Sequence, residues 1–411
     1  MVPGNWRQKF EGALNATALR VGHFRGGITL SRILSILDFE LLILHLTSSE
    51  TPTSSMEQET LHDGRIVRSE DPLNLEMPFS SLDQFITPTK SFYVRTHFPI
   101  PAIDKDEWWL HVEGEVEKPF EINYEELLKL ESVTIPVTLE CAGNNRNFLE
   151  PKVKGVQWGL GAVGTAEWTG VPLAILLDRA EVKPEAREVI LEGADEGVLE
   201  EPKRPPGIVK FARSIPLLKA RTDVLLAYQM NGNDLPPEHG FPLRAIVPGW
   251  YAMASIKWLQ GVIVTDRPFT GYYQTMDYAF WKRREEIAEL VPLTDMQVKA
   301  EIAQPVEGET VPSDSNVRVH GAAWTSDGEI TKVEVSTNGG ASWNEASLIG
   351  KAVSNAWRLW DFEWHTPSKP GKQTLIASAT DSHGRSQPVE RDPDRGTYMI
   401  NQLLPITVEV R

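Results

Sequence analysis

The chain has 411 residues and a single cysteine, Cys141. One thiol excludes an intramolecular disulfide, a C-x-x-C-H haem attachment and a cysteine-ligated iron–sulfur cluster. Long apolar runs are also missing. The strongest, "ILSILDFELLILHL", carries Asp38 and Glu40 and is too short and too charged to span a bilayer. No twin-arginine pair precedes it, so it reads as an amphipathic or ill-ordered extension in a cytoplasmic protein. Positive charge is scarce too. Lys and Arg total 41 against 57 Asp and Glu, and a net charge of −16 argues against nucleic acid or an anionic membrane as the main partner. Nucleotide signatures are lacking: no G-x-G-x-x-G opens a helix after a strand, and no Walker-type G-K-[ST] occurs.

What is present falls into three parts. Residues 1–75 read as an N-terminal extension with a polar linker, "SSETPTSSMEQET", and little promise of order. Residues 76–292 mix strand-like runs ("EWWLHVEG", "VTIPVTLE") with helical candidates ("YEELLKL", "PLAILLDRA"), and proline or glycine marks nearly every junction. This predicts an irregular α+β domain and not a βαβ series. Residues 293–411 change texture. Short β-branched and aromatic runs such as "NVRVHGAAW", "ITKVEVSTNGG" and "KQTLIASATD" alternate with turns, which predicts an immunoglobulin-like β-sandwich.

The thiol stands in "VTLECAGNNR" (137–146). A β-branched strand leads into it, and glycine and asparagines follow, so Cys141 is expected at a tight turn where the strand ends. Arg146 lies five residues on, and a nearby cation favours thiolate, a soft metal ligand. A nucleophilic cysteine or a plain core residue are the other readings of the thiol taken by itself.

The stretch "TLECAGNNR" resembles the cysteine loop of the sulfite oxidase family. Three further stretches are similar to that family, in order: "FYVRTHFPIP" (92–101), "VKGVQWGLGAVGTAEWTGVPL" (153–173) and "EHGFPLRAIVPGWYAMASIKWL" (238–259). The likeness covers roughly residues 80–405 and includes a sandwich like the family's dimerisation domain. It implies an α+β molybdopterin-binding domain followed by the sandwich, with Cys141 as the protein ligand to molybdenum. It also implies Arg95 and Arg146 on the substrate side, Lys154 and Trp158 closing the pocket, Tyr278 hydrogen-bonding near the metal, and Arg358 in "AWRLW" reaching across from the sandwich. Tyr272 and Tyr273 compete with Tyr278 for that role. His97, Asn144, His239, Arg244, Ser255 and Lys257 fall where the family holds its cofactor.

The activity so implied is oxidation of sulfite to sulfate at a Mo-molybdopterin centre in a homodimer. No haem signature occurs on the chain, so electrons would pass to a separate acceptor: a cytochrome, oxygen or another carrier. Many relatives carry a second arginine directly before the one matching Arg146; this chain has Asn145, which is expected to weaken the positive field. Turnover of another small S- or N-oxide on the same fold is the alternative, and a non-catalytic adhesion protein the rival from another class. Nitrate reduction is disfavoured by the missing haem and flavin domains.

Overall fold

The computed structural model describes residues 60–199 and 205–411. Among these residues three short α-helices, Tyr124–Leu127, Leu173–Ala180 and Leu217–Thr222, sit in a mainly β architecture. The first is closed by a capping box: Asn123 accepts from the Glu126 N–H while the Glu126 carboxylate accepts from the Asn123 N–H. The second buries Leu173, Leu176, Leu177 and Ala180, the i, i+3, i+4, i+7 stripe that the sequence displays. It stops at Glu181, whose φ is 54°.

Two sheets organise the first body. One runs in the order 208–216, 188–198, 259–265, 109–114, 120–123; within it only Leu259–Thr265 and Trp109–Gly114 pair in parallel. In the other, Leu225–Met230 lies beside Val163–Pro172, which pairs with Val133–Glu140. The last rung joins Glu140 to Val163, and the chain turns immediately afterwards, so Cys141 caps the strand end as expected.

The sandwich has two sheets, 299–304/316–324/358–365/347–348 and 310–311/406–410/371–381/330–336/344–345. The strand Asn316–Trp324 coincides with the "NVRVHGAAW" run, and Val319, Val333, Trp360, Leu375 and Val408 fill the space between the sheets. The two bodies share packing. One apolar cluster includes Leu243, Leu259 and Val262 together with Ala322, Trp324, Trp357 and Met399 from the sandwich. Trp357 is fully buried; its backbone N–H donates to Thr138 Oγ1 at 2.7 Å and its indole N–H to the Phe85 carbonyl at 2.8 Å.

One boundary needs correction. Residues 61–76 are not part of a loose extension. Leu61–His62 and Arg65–Glu70 form a hairpin, and Leu73–Glu76 joins it to Val94–Arg95. The Asp63–Gly64 turn has φ of 51° and 81°, the pair of positive values that a two-residue type I′ hairpin demands. The apolar run at 33–46 and the linker up to residue 59 lie outside the described residues. No helix among the described residues is long and apolar enough to cross a membrane.

Candidate active site

A cavity opens where Val94–Arg95, the turn after Glu140 and the segment 238–258 converge. Arg95, His97, Cys141 and Tyr278 share its wall with His239, Arg244, Ser255 and Lys257. Eight of the candidates named from the sequence therefore meet in one place.

The Cys141 end is built from backbone geometry. Its N–H donates to the Ala162 carbonyl at 2.9 Å, its carbonyl accepts from the Asn144 N–H at 2.9 Å, and Asn145 turns the chain at a φ of 72°. Burial pushes the thiol pKa up, against the pull of Arg146 and Arg95. The neighbouring cations do pull toward thiolate, as expected, but desolvation outweighs them.

Arg95 is steadied by the hairpin region misjudged as extension. Its guanidinium donates to Asn74 Oδ1 at 3.3 Å and to the Thr96 carbonyl. His97 Nε2 lies 2.6 Å from Tyr278 Oη and its ring stacks on Phe211 at 4.4 Å. Burial, then Arg95 and Lys257, holds the His97 pKa well below its usual value, so the ring is neutral. Of Tyr272, Tyr273 and Tyr278, only Tyr278 lines the cavity. Tyr273 packs behind it, its ring 4.4 Å from Phe211. Burial raises the pKa of both phenols, and neither ionises near neutrality.

The opposite wall is cationic. Arg244 donates to the carbonyls of His239 (3.1 Å) and Ser255 (3.2 Å) and lies over the Trp168 ring at 4.8 Å. Burial lowers its pKa to about 10. Lys257 donates to the Glu238 carbonyl at 2.9 Å; burial, then Arg244, brings its pKa down to about 7, while burial lifts nearby Asp195 to about 6. Two buried atoms here, His239 Nε2 and Arg244 Nε, have no hydrogen-bond partner among the described residues. Buried polar nitrogens left open beside a cavity suit a bound molecule rich in donors and acceptors.

Other candidates lie elsewhere. Arg146 is buried but is held from behind the turn: Nε donates to Thr397 Oγ1 at 2.7 Å and to the Thr397 carbonyl, and Nη1 to the Val156 carbonyl at 2.7 Å. Two glycines make its berth. A Cβ on Gly143 would stand 2.1 Å from Nη2, and one on Gly155 2.7 Å from Nη1. Asn144 does not face the cavity; its Oδ1 accepts from the Ala162 N–H and its Nδ2 donates to Glu140. Lys154 is exposed, and its carbonyl accepts from Thr397. Trp158 is fully buried against Tyr93, and its Nε1 lacks a partner among the described residues.

Arg358 does not reach across. It sits on the strand Arg358–His365 with its guanidinium on the Gly350 carbonyl, and the neighbouring Trp357 makes the crossing instead. Asn145 faces the sandwich: it donates to Glu301 Oε1 at 2.7 Å and accepts from Lys299 Nζ at 2.9 Å. It is not among the residues that line the cavity. Residues that the sequence reading passed over also border the site. Tyr398 packs its ring at a tilt against Tyr278, centroids 5.0 Å apart, sits under the Arg146 guanidinium at 5.3 Å, and donates to Asp277 Oδ1 at 3.0 Å.

Among the described residues no group of three or more His, Cys, Asp and Glu could hold a metal. A metal at Cys141 would therefore bring most of its ligands with it. Fold, lone cavity thiol and cationic wall define a class, the oxidoreductases that bind a metal through an organic cofactor. Comparison with known proteins agrees. Residues 97–273 match the oxidoreductase molybdopterin binding domain, and residues 291–400 the Mo-co oxidoreductase dimerisation domain. Chicken sulfite oxidase is 32% identical over 367 residues, covering 84% of this chain and 78% of that protein. Rat mitochondrial sulfite oxidase is 34% identical over 346 residues, 80% of this chain, and the chain spans only 62% of its length. An NADPH nitrate reductase from Aspergillus niger is 32% identical, covering 79% of this chain and 42% of that protein. The crystal structure of the sulfane dehydrogenase SoxCD from Paracoccus pantotrophus superposes with a TM-score of 0.72 at 26% identity, covering 86% and 92% of the two chains. The chain belongs to the sulfite oxidase family of molybdopterin-dependent oxidoreductases.

Proposed function

We propose that the protein oxidises sulfite to sulfate at a molybdopterin-bound molybdenum held by Cys141 Sγ, and passes the electrons to a separate acceptor. The observation that carries this reading is the convergence of Cys141, Arg95 and Tyr278 with a cationic wall whose His239 and Arg244 retain open nitrogens. His239, Arg244, Ser255 and Lys257 would hold the cofactor's phosphate and heterocycle. When bound, the cofactor supplies oxygen-atom transfer and takes up two electrons.

The chain's own residues have distinct tasks. Cys141 must lose its proton on binding metal, and its burial makes that loss favourable only with the metal's charge beside it. Arg95 presents a fixed guanidinium to a small oxyanion, and its planar donors suit the oxygens of sulfite. Arg146 adds charge near the sulfur from behind the turn. Neutral His97 fixes the Tyr278 hydroxyl, which keeps its proton at Oη and offers it as a hydrogen bond to an oxygen at the reacting centre. Enclosure by Phe211, Met253 and Trp258 limits water and strengthens each of these interactions. The sandwich would carry the homodimer contact of its family.

Purified protein should contain molybdenum and pterin in equal amounts and reduce ferricyanide or cytochrome c with sulfite. Protein without metal, or fully loaded protein that ignores sulfite, would overturn the assignment. Likeness to a nitrate reductase favours a second reading, turnover of another small oxide, and a nitrate and sulfoxide arm in the same assay separates the two.

A further inference from the structure

A buried polar cluster joins the cysteine turn to the sandwich. Glu140, the residue before Cys141, is fully buried. Its Oε1 accepts from Lys299 Nζ at 2.6 Å and from Asn144 Nδ2 at 3.3 Å, and its Oε2 from the Trp324 indole N–H at 2.9 Å. Lys299 also donates to Asn145 Oδ1, whose amide donates to Glu301. Lys299, Glu301 and Trp324 belong to the paired sandwich strands Lys299–Gln304 and Asn316–Trp324, and each is at most 4% exposed.

Burying this many charged and polar groups is a poor way to glue two bodies together. A buried ion pair gains little over apolar packing of the same volume, and apolar packing already joins these bodies through Trp324 and Trp357. The cluster differs from glue in where it lands. Its contacts on the first body fall on residues 140, 144 and 145, which bracket Cys141 within four positions. Asn144 and the Cys141 backbone then grip the same neighbour, Ala162, through its N–H and its carbonyl.

We infer that Lys299 and Trp324 of the sandwich are positioning residues for the Cys141 sulfur, acting through the Glu140 carboxylate and the Asn145 side chain. The inference rests on the reading of Cys141 as the metal ligand. The sandwich thereby sets where the sulfur meets its metal, in addition to any role in association. Misplacing a reacting group by about 1 Å costs up to about 100-fold in rate, so a shift of the turn should act on kcat more than on binding.

The test uses holoenzyme variants Lys299→Met, Lys299→Arg and the double variant Lys299→Met/Glu140→Gln. The double variant removes the carboxylate that the single one would leave buried and unpaired. Three quantities are read: molybdenum per chain after gel filtration, the thiolate-to-metal absorption band, and kcat and KM for sulfite per bound molybdenum, well below each melting temperature. Expected for Lys299→Met, or for the double variant where the single one does not fold, is a shifted band and a kcat about tenfold lower with KM within about threefold. Lys299→Arg should restore most of both. An unchanged band and kcat with only a lowered melting temperature would leave Lys299 a structural prop and overturn the inference. Wild-type protein without molybdenum would instead sink the ligand assignment beneath it, so the two failures are distinct.

Discussion

Replacing Gly143 by alanine tests the berth of Arg146 with a single methyl group. Gly143 does not have a positive φ, so the change adds sterics without backbone strain. The new Cβ would stand 2.1 Å from Nη2, 2.4 Å from Cζ and 2.6 Å from Nη1, and the guanidinium must withdraw by about 1.3 Å to reach ordinary contact. Hydrogen bonds of 2.7 Å to Thr397 Oγ1 and the Val156 carbonyl do not survive such a displacement. Each such bond from a charged donor is worth about 1.5–3 kcal/mol. Part of the loss is recovered through new partners, which leaves about 3 kcal/mol of stability, while a guanidinium displaced by about 1 Å should lower kcat/KM by up to about 100-fold. Steady-state oxidation of sulfite, normalised to bound molybdenum, reads this directly. Arg146→Lys shortens the head group and should absorb the methyl, so the double variant is expected to be no worse than Arg146→Lys alone. Additive losses in that cycle, or Gly143→Ala within about threefold of wild type, would refute the steric argument.

Three further outcomes follow from the geometry. Tyr278→Phe removes the hydroxyl that meets His97 at 2.6 Å and should lower kcat/KM for sulfite at least about tenfold while metal content holds; unchanged kinetics would remove the phenol from the chemistry. Trp357→Ala empties a fully buried site between the bodies and should lower stability by about 3–5 kcal/mol, read as a melting temperature or a denaturation midpoint; a loss under about 1 kcal/mol would mean that the packing there is loose. Burial raises the Glu301 pKa from 4.5 to about 7. Its contribution to stability is therefore full below about pH 4.5 and is lost as pH rises through about 7. Glu301→Gln lacks this loss, so its melting temperature relative to wild type should climb between pH 5 and pH 8, by the equivalent of at most about 3 kcal/mol; a flat difference would contradict the burial argument.

Much of the site was legible in the sequence because its residues lie in short contiguous stretches whose order matches a family. Arg95 and His97 share one such stretch, Cys141 another, and His239, Arg244, Ser255 and Lys257 a third, and all of these border the cavity. Local periodicity likewise exposed the Leu173–Ala180 helix and the Asn316–Trp324 strand. Contacts between the bodies were not legible, since no local pattern ties Thr397 to Arg146 across 251 positions or Lys299 to Glu140 across 159. Arg358 misled for a related reason. The "AWRLW" segment does cross between bodies, but strand geometry sends the tryptophan inward and leaves the arginine at Gly350. The hairpin at 61–76 did announce itself, through Asp63–Gly64, beneath a polar composition that suggested a linker. Nor does any local pattern announce that Asn145 meets Glu301 and Lys299 of the sandwich.

The solitary, buried thiol has a practical consequence. With Cys141 7% exposed on the cavity wall and no other cysteine in the chain, a thiol reagent has one address in metal-free protein, reached through the cavity or on opening of the turn. If reclosing outruns chemistry, the labelling rate equals the intrinsic rate of a free thiol multiplied by the opening equilibrium constant, so a stopwatch converts directly into a local free energy. The breathing of the cysteine turn can thus be followed by one covalent event per molecule.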